Sequence, residues 1–393
     1  MSSQYNTPDG SRSVAQRLMS VHWPVLIVIS LIASIGMASL YSVANGSFSP
    51  WAERHAFRFV VGLAMVMGIA AVSLRCWMVL AYPAYILALG LLALVPLIGS
   101  IGAEDGVISS VTSLGARRWL NAGGFQFQPS ELMKVALVLM LARYYQWLPA
   151  DKVSRPKWVV LPLLAILAPV ILTLKQPDLG TTVLFAVVGL ALMFLAGVSS
   201  LYFVGGGLGI ALATPLIWAR MHDYQKRRIE IFMDPDKDPL GAGYHITQSK
   251  IALGSGGLSG KGYMQGTQSQ LNFLPEKHTD FIFTMFGEEW GFIGVVWLLV
   301  LYGLLLMLIL SMAFSCRNQF GRLLIAGAAL VIFIYAFINM AMVTGLVPVV
   351  GVPLPLVSYG GTSMTTIMIG IGLAMCGFVH RNTSIRRQDL GAV

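Results

Sequence analysis

Charged residues stand at the edges of long apolar runs at four places in this chain. In LNFLPEKHTDFIFTMFGEEWGFI at 271–293, Glu276, Lys277, His278 and Asp280 run straight into Phe281, Ile282 and Phe283. A carboxylate at such a boundary is raised by burial or lowered by Lys277, and can be poised as a general base. The plainer reading is an aspartate at a helix N-terminus, where the dipole favours it. Glu288 and Glu289, further in, are either polar residues of that helix or pore-facing. In GARRWLNAGGFQFQPSELMK at 115–134, Pro129 suits a first helical position and sets Glu131 and Lys134 three apart on one face. They are either a simple ion pair at a helix entrance or a functional pair, because charges within a membrane are costly and usually functional. Arg117 and Arg118 either clamp a phosphate or anchor the chain at the interface. In KQPDLGTT at 175–182, Asp178 follows Pro177 at a helix start, and only its convergence with the other charges argues for a role.

The fourth place is 220–280. It opens with Lys226, Arg227 and Arg228 in a row, either a solvated face or a steering patch for an anionic substrate. It continues as QSKIALGSGGLSGKGYMQGTQSQLN. A phosphate-binding P-loop is excluded: the position five before Gly260 is Ser255, and Lys261 is followed by Gly262. Glycines and amides, Gln268 among them, suit a loop that hydrogen-bonds sugars. Its composition, with few residues to bury, predicts mobility over 254–270 and a lid-like role beside Asp280.

These groups need a scaffold, and the composition says which kind. The 393 residues are 56% hydrophobic and 11% charged, against about 25% charged in soluble proteins. A span needs roughly 20 mostly apolar residues. Ten segments qualify: 22–44, 56–74, 77–100, 129–148, 158–175, 179–197, 199–219, 281–313, 322–345 and 357–379. The expected fold is all-α, a single membrane domain over 1–393. It has about ten transmembrane helices, a cytoplasmic tail at 1–21, one long extracytoplasmic loop at 220–280 and a second cytoplasmic tail at 380–393. Basic residues concentrate at the termini and in the even loops, which places both termini in the cytoplasm. The net charge of +9 therefore reports membrane orientation and not nucleic-acid binding. The first apolar run lacks a cleavage site and reads as a retained helix. Cys76, Cys316 and Cys376 are too scattered for a disulfide framework or a zinc site. GLVPVVGVPLPLVSYGGTSM at 345–364 implies irregular backbone, tolerated at membrane depth only where buried in protein or lining a cavity. Together the clusters describe an outward-facing cavity suited to an amphiphile with an anionic head and a lipid tail.

At these motifs the chain resembles the SEDS family (shape, elongation, division and sporulation) of polytopic peptidoglycan glycosyltransferases. GARRWLNAGGFQFQPSELMK, KQPDLGTT, GTQSQLNFLPEKHTDFIFTMFGEEWGF and PLPLVSYGGTSM carry the resemblance, which covers nearly everything after the first twenty residues. Lys277 and the run SQLNFLPEKHTD point to the rod-shape-determining branch, with the division branch as the alternative. The resemblance implies a lipid II polymerase of the bacterial inner membrane, acting in cell wall biogenesis and cell shape. It would join a sugar 4-hydroxyl to the anomeric carbon of an undecaprenyl-linked glycan and release undecaprenyl pyrophosphate. It implies Asp280 as the catalytic aspartate, with Glu131, Lys134 and Asp178 as functional residues. Arg117, Arg118, Lys277, His278 and Gln268 are the expected substrate contacts. A divalent cation such as Mg2+ or Mn2+, held by Asp280 with Glu131 or Asp178, is a further expectation. The implied partner is a class B penicillin-binding protein, a single-span transpeptidase, alongside membrane lipids. A lipid II flippase would use the same cavity without a base at a reacting hydroxyl.

Overall fold

The computed structural model describes residues 13–101, 108–113, 116–122, 125–221, 223–238, 241–270, 274 and 276–383. All ten predicted spans are helices. They are α2 (Trp23–Val43), α3 (Trp51–Ala71), α4 (Leu74–Ile101), α5 (Pro129–Trp147), α6 (Pro156–Lys175), α7 (Leu179–Leu195), α8 (Ser200–Arg220), α12 (Ile282–Ser315), α13 (Gln319–Val343) and α14 (Gly361–Val379). Seven of them are long and apolar enough to cross a membrane, among the described residues. Of the others, α7 and the segment Ser200–Leu216 of α8 are shorter apolar stretches, and α5 carries Glu131, Lys134 and Arg143. The short α1 (Val14–Met19) precedes them, and α9 (Asp223–Met233), α10 (Ala242–Ser255) and α11 (Thr267–Gln270) lie in the long connection between α8 and α12.

One element departs from the all-helical expectation. Between α4 and α5 the chain forms a three-stranded antiparallel sheet, β1 (Ile108–Ser113), β2 (Ala116–Ala122) and β3 (Phe125–Phe127), in sequence order. Its middle strand carries Arg117 and Arg118. The alternation in ARRWLNA is too short to announce a strand beside such strong helical signals.

Helix α13 is the hub. It packs against α5, α7, α12 and α14, and 72% of its most apolar window is buried, against 28% for α12. In lipid such packing is driven by close van der Waals contact and not by water exclusion. Gly327 on α13 shows the requirement: a Cβ there would come 2.4 Å from Val138 Cγ1 on α5. At the other extreme, α8 has few partners among the described residues. Of its described side chains from 204 to 220 all are exposed except the half-buried Ala213, and nothing approaches Gly205, Gly206, Gly207 or Gly209 within 4 Å of where a Cβ would stand.

Helix α12 breaks at Gly291, whose φ of 63° and ψ of −165° lie outside the helical region. A break there deprives the carbonyls of Glu288 and Glu289 and the amides of Phe292 and Ile293 of their i→i−4 bonds. The loop after α10 supplies all four. Lys261 N and Gly262 N donate to the Glu288 and Glu289 carbonyls at 3.0 and 3.1 Å. Phe292 N and Ile293 N donate to the Gly257 and Leu258 carbonyls at 2.9 and 3.0 Å. The glycine-rich stretch expected to have few anchors is thus laced into a transmembrane helix. Its glycines serve close approach, since a Cβ on Gly260 would fall 2.0 Å from the Glu289 carbonyl oxygen.

Candidate active site

The stretch 276–281 enters α12 without a side-chain cap, and its backbone is held from outside. Asn339 Nδ2 on α13 donates to the Asp280 carbonyl at 2.8 Å and to the Val352 carbonyl at 2.7 Å. Ser358 Oγ donates to the Thr279 carbonyl at 2.6 Å and accepts from Leu354 N at 2.7 Å. Tyr359 N donates to the His278 carbonyl at 2.9 Å. The irregular segment before α14 is therefore a buried brace for the loop that carries Asp280, as its prolines and glycines implied. Gly351 faces the carboxyl itself: with φ of +70°, a Cβ there would stand 3.2 Å from Asp280 Oδ2.

The Asp280 carboxyl accepts no hydrogen bond from any described residue and is partly exposed. Burial, reinforced by the negative charge of Glu276, pushes it up from 3.8 to about 7, with Arg118 pulling the other way. It is thus split between its acid and base forms at neutral pH, the condition a general base requires. Lys277 is buried and its pKa is lowered by that burial. His278 is lowered as well, by burial first. Its ring stacks on Trp51 at 4.5 Å between centroids and faces Tyr359 at 5.9 Å. Gln268 lies at the start of α11, where its backbone N donates to the Glu288 carboxylate at 3.2 Å.

Glu131 and Lys134 do form the expected pair, at 2.7 Å, with side chains 8% and 3% exposed. The residue the sequence did not announce is Tyr335 on α13. Its hydroxyl donates to Glu131 at 3.0 Å and hydrogen-bonds the Lys134 ammonium. Tyr335 and Asn339 are four apart on α13, so the buried pair and the Asp280 backbone are gripped about 6 Å apart along one helix face. Nothing in the local pattern of an apolar helix marks either residue; only their partners do.

Asp178 caps α7, accepting from Thr181 N at 3.3 Å and Thr181 Oγ1 at 2.9 Å. The turn before it is pinned by Arg118, whose guanidinium donates to the Gln176 and Pro177 carbonyls at 3.4 and 2.5 Å. The start of α7 also abuts the brace, since a Cβ on Gly180 would lie 3.1 Å from the Val350 carbonyl. Arg118 therefore joins the Asp178 turn to the field around Asp280. The Arg117 side chain lies outside the described residues. Arg58 on α3 completes the picture, with its guanidinium 4.8 Å from the centre of the Tyr359 ring.

No three metal-binding side chains gather among the described residues. Glu131 is committed to Lys134 and Tyr335, and Asp178 to its cap. Of the carboxylates expected to hold a cation, Asp280 alone has free oxygens, so these residues do not form a protein cage for Mg2+ or Mn2+. The arrangement is a single carboxyl poised near neutrality, fixed from its backbone side, beside an arginine and above a buried neutralised pair. It suits removal of a proton from a hydroxyl next to an anionic group.

The sequence matches the profile of the cell cycle protein family FtsW, RodA and SpoVE over residues 16–383. It is 42% identical over 361 residues to peptidoglycan glycosyltransferase MrdB of Escherichia coli K12, covering 91% of this chain and 94% of that one. It is 36% identical over 362 residues to the probable peptidoglycan glycosyltransferase FtsW of Geobacter sp. strain M18, covering 89% and 95%. The fold is similar to a structure solved for a peptidoglycan synthase complex that coordinates polymerization and crosslinking, with a TM-score of 0.77, 32% identity and coverage of 92% and 98%. It is also similar to the rod shape determining protein RodA of Thermus thermophilus, with a TM-score of 0.67, 29% identity and coverage of 93% and 98%.

Proposed function

Because the chain belongs to the FtsW, RodA and SpoVE family, we propose that Asp280 is the general base with which it polymerises peptidoglycan glycan strands from lipid II. The enzyme is a peptidoglycan glycosyltransferase of the bacterial inner membrane. The observation that carries the reading is the free carboxyl of Asp280, poised at about 7. The ionised carboxyl takes the proton of a sugar 4-hydroxyl. The oxygen then bonds to the anomeric carbon of the lipid-linked glycan as the bond from that carbon to pyrophosphate breaks. Undecaprenyl pyrophosphate leaves with the electron pair as positive charge develops at the anomeric carbon. Arg118, whose charge already reaches Asp280, meets the departing anion. Lys134 is sealed against Glu131 and Tyr335, so the pair holds α5 to α13 beneath the site.

A divalent cation, if bound, would be held by the Asp280 carboxyl and would offset negative charge on the departing pyrophosphate. The branch is rod elongation, supported by the identity to MrdB and the likeness to the Thermus protein. The crosslinking in the related synthase complex supports a class B penicillin-binding protein as the partner. Both termini lie in the cytoplasm, supported by the ten helices that occupy the predicted spans and the basic residues at the ends. Purified protein mixed with lipid II in detergent should yield glycan polymer, and Asp280→Asn should yield none while remaining folded. Polymer from the folded Asn variant would overturn the assignment. Lipid II translocation in vesicles without polymer would favour the flippase.

A further inference from the structure

The mechanism uses Asp280 and leaves another buried carboxylate without a task. Glu288, on the same helix, is 0% exposed and is saturated with donors. Lys261 Nζ reaches it at 2.6 Å, Thr267 Oγ1 at 3.0 Å and the backbone N of Gln268 at 3.2 Å. A charged acceptor with several short bonds in a dry site is a strong, directional contact, unlike an exposed ion pair. Its neighbour Glu289 takes the Ser42 hydroxyl of α2 and the backbone amide of Met264 in the loop, so the two glutamates tie the loop to the bundle.

The placement of these bonds matters more than their number. Gln268 and Glu288 stand at the two ends of the stretch that carries Glu276, Lys277, His278 and Asp280. The contact between them closes that stretch into a ring, and Lys261 reaches the closure from the strand of loop laced into the α12 break. Closing a loop removes most of the arrangements its ends would otherwise sample. The brace before α14, with Asn339, holds the middle of the loop, at His278, Thr279 and Asp280, and Glu288 takes its bonds from the other side of the stretch. We infer that Glu288, paired with Lys261, is a positioning residue that staples both ends of the catalytic loop and so sets where the Asp280 carboxyl stands against the sugar hydroxyl.

The inference rests on the polymerase reading, and its test separates the two. Full-length protein bearing Glu288→Gln, Lys261→Met, both together, or Lys261→Arg is assayed with lipid II across pH. Lys261→Met keeps the apolar stem, and with its side chain 28% exposed it leaves the core intact should Glu288→Gln fold poorly. Each loss of charge should lower kcat per folded molecule about 10- to 100-fold with little change in KM, the effect of a misplaced reacting group. The double variant should fall no further than Glu288→Gln alone, as expected of a coupled pair, and Lys261→Arg should keep the rate. The pH of half-maximal rate should move down in the impaired variants. A loosened loop admits water to Asp280, whose other charged neighbours, Glu276 and Arg118, are unchanged. A purely structural role predicts fewer folded molecules with wild-type kcat and pH midpoint. That result, or losses that add in the double variant, would overturn the inference. If wild-type protein makes no polymer, the polymerase reading falls. The staple is then judged by amide exchange over 276–281, which should quicken in Glu288→Gln and Lys261→Met; unchanged exchange would overturn it.

Discussion

At the scale of single residues, the raised Asp280 carboxyl has consequences for both rate and stability. The rate should climb as pH rises through about 7, because only the ionised form takes a proton. Stability should move the opposite way. The unfolded aspartate ionises near 3.8 and the folded one near 7. Between those values the folded state holds more protons, so stability falls as pH rises. Asp280→Asn should therefore melt above wild type at pH 8 and match it at pH 4, although it should make no polymer. A variant that melts lower at pH 8 would argue that the carboxylate is paired and not strained by burial. Lys134→Ala should behave differently, because it strands Glu131 in a site where both partners are nearly inaccessible. Breaking such a pair typically costs about 3–5 kcal/mol. The rate per folded molecule should fall by about 100-fold if the pair also sets the field of the site; an unchanged rate at reduced melting temperature would confine it to structure. Asp280, Glu131 and Lys134 were legible because charge beside hydrocarbon is rare and visible in the chain. Tyr335 and Asn339 were not, because a tyrosine or an asparagine within an apolar helix reveals its purpose only through what another helix brings to it.

At the scale of elements, legibility followed the strength of the periodic or compositional signal. Spans of about twenty apolar residues are unmistakable, and α14 differs from its expected start at 357 only because the brace runs to Gly360 before the helix begins. The sheet between α4 and α5 escaped notice, since short strands carry little pattern. The loop after α10 was misjudged for a clearer reason. Glycine density reads as freedom when the partner is unknown, yet here it reports how closely two backbones pass. Gly260 has a φ of +80° and no room for a Cβ beside Glu289. Gly260→Ala should thus lower stability by about 2–4 kcal/mol, combining a left-handed conformation for an L-residue with overpacking. Thermal unfolding in detergent checks this, and a loss under about 0.5 kcal/mol, the usual range for surface changes, would show that the loop yields easily.

At the scale of the whole molecule, the native cysteines can report orientation without added mutations. Cys76 is exposed at the start of α4, whereas Cys316 and Cys376 are buried. The proposed cytoplasmic termini would put the turn between α3 and α4 on the inner side. A membrane-impermeant maleimide should then label intact spheroplasts poorly and permeabilised ones well, and equal labelling would reverse the topology. The hub helix and the free helix set another contrast. Substitutions in α13 disturb the spanning neighbours α5, α7, α12 and α14 at once, while most of α8 is exposed among the described residues. Selection can see the sequence of α8 chiefly through its length and its oiliness. Over generations that helix should exchange leucine, valine, isoleucine and alanine more freely than α13 exchanges Tyr335 or Asn339, so its history should be written in neutral drift.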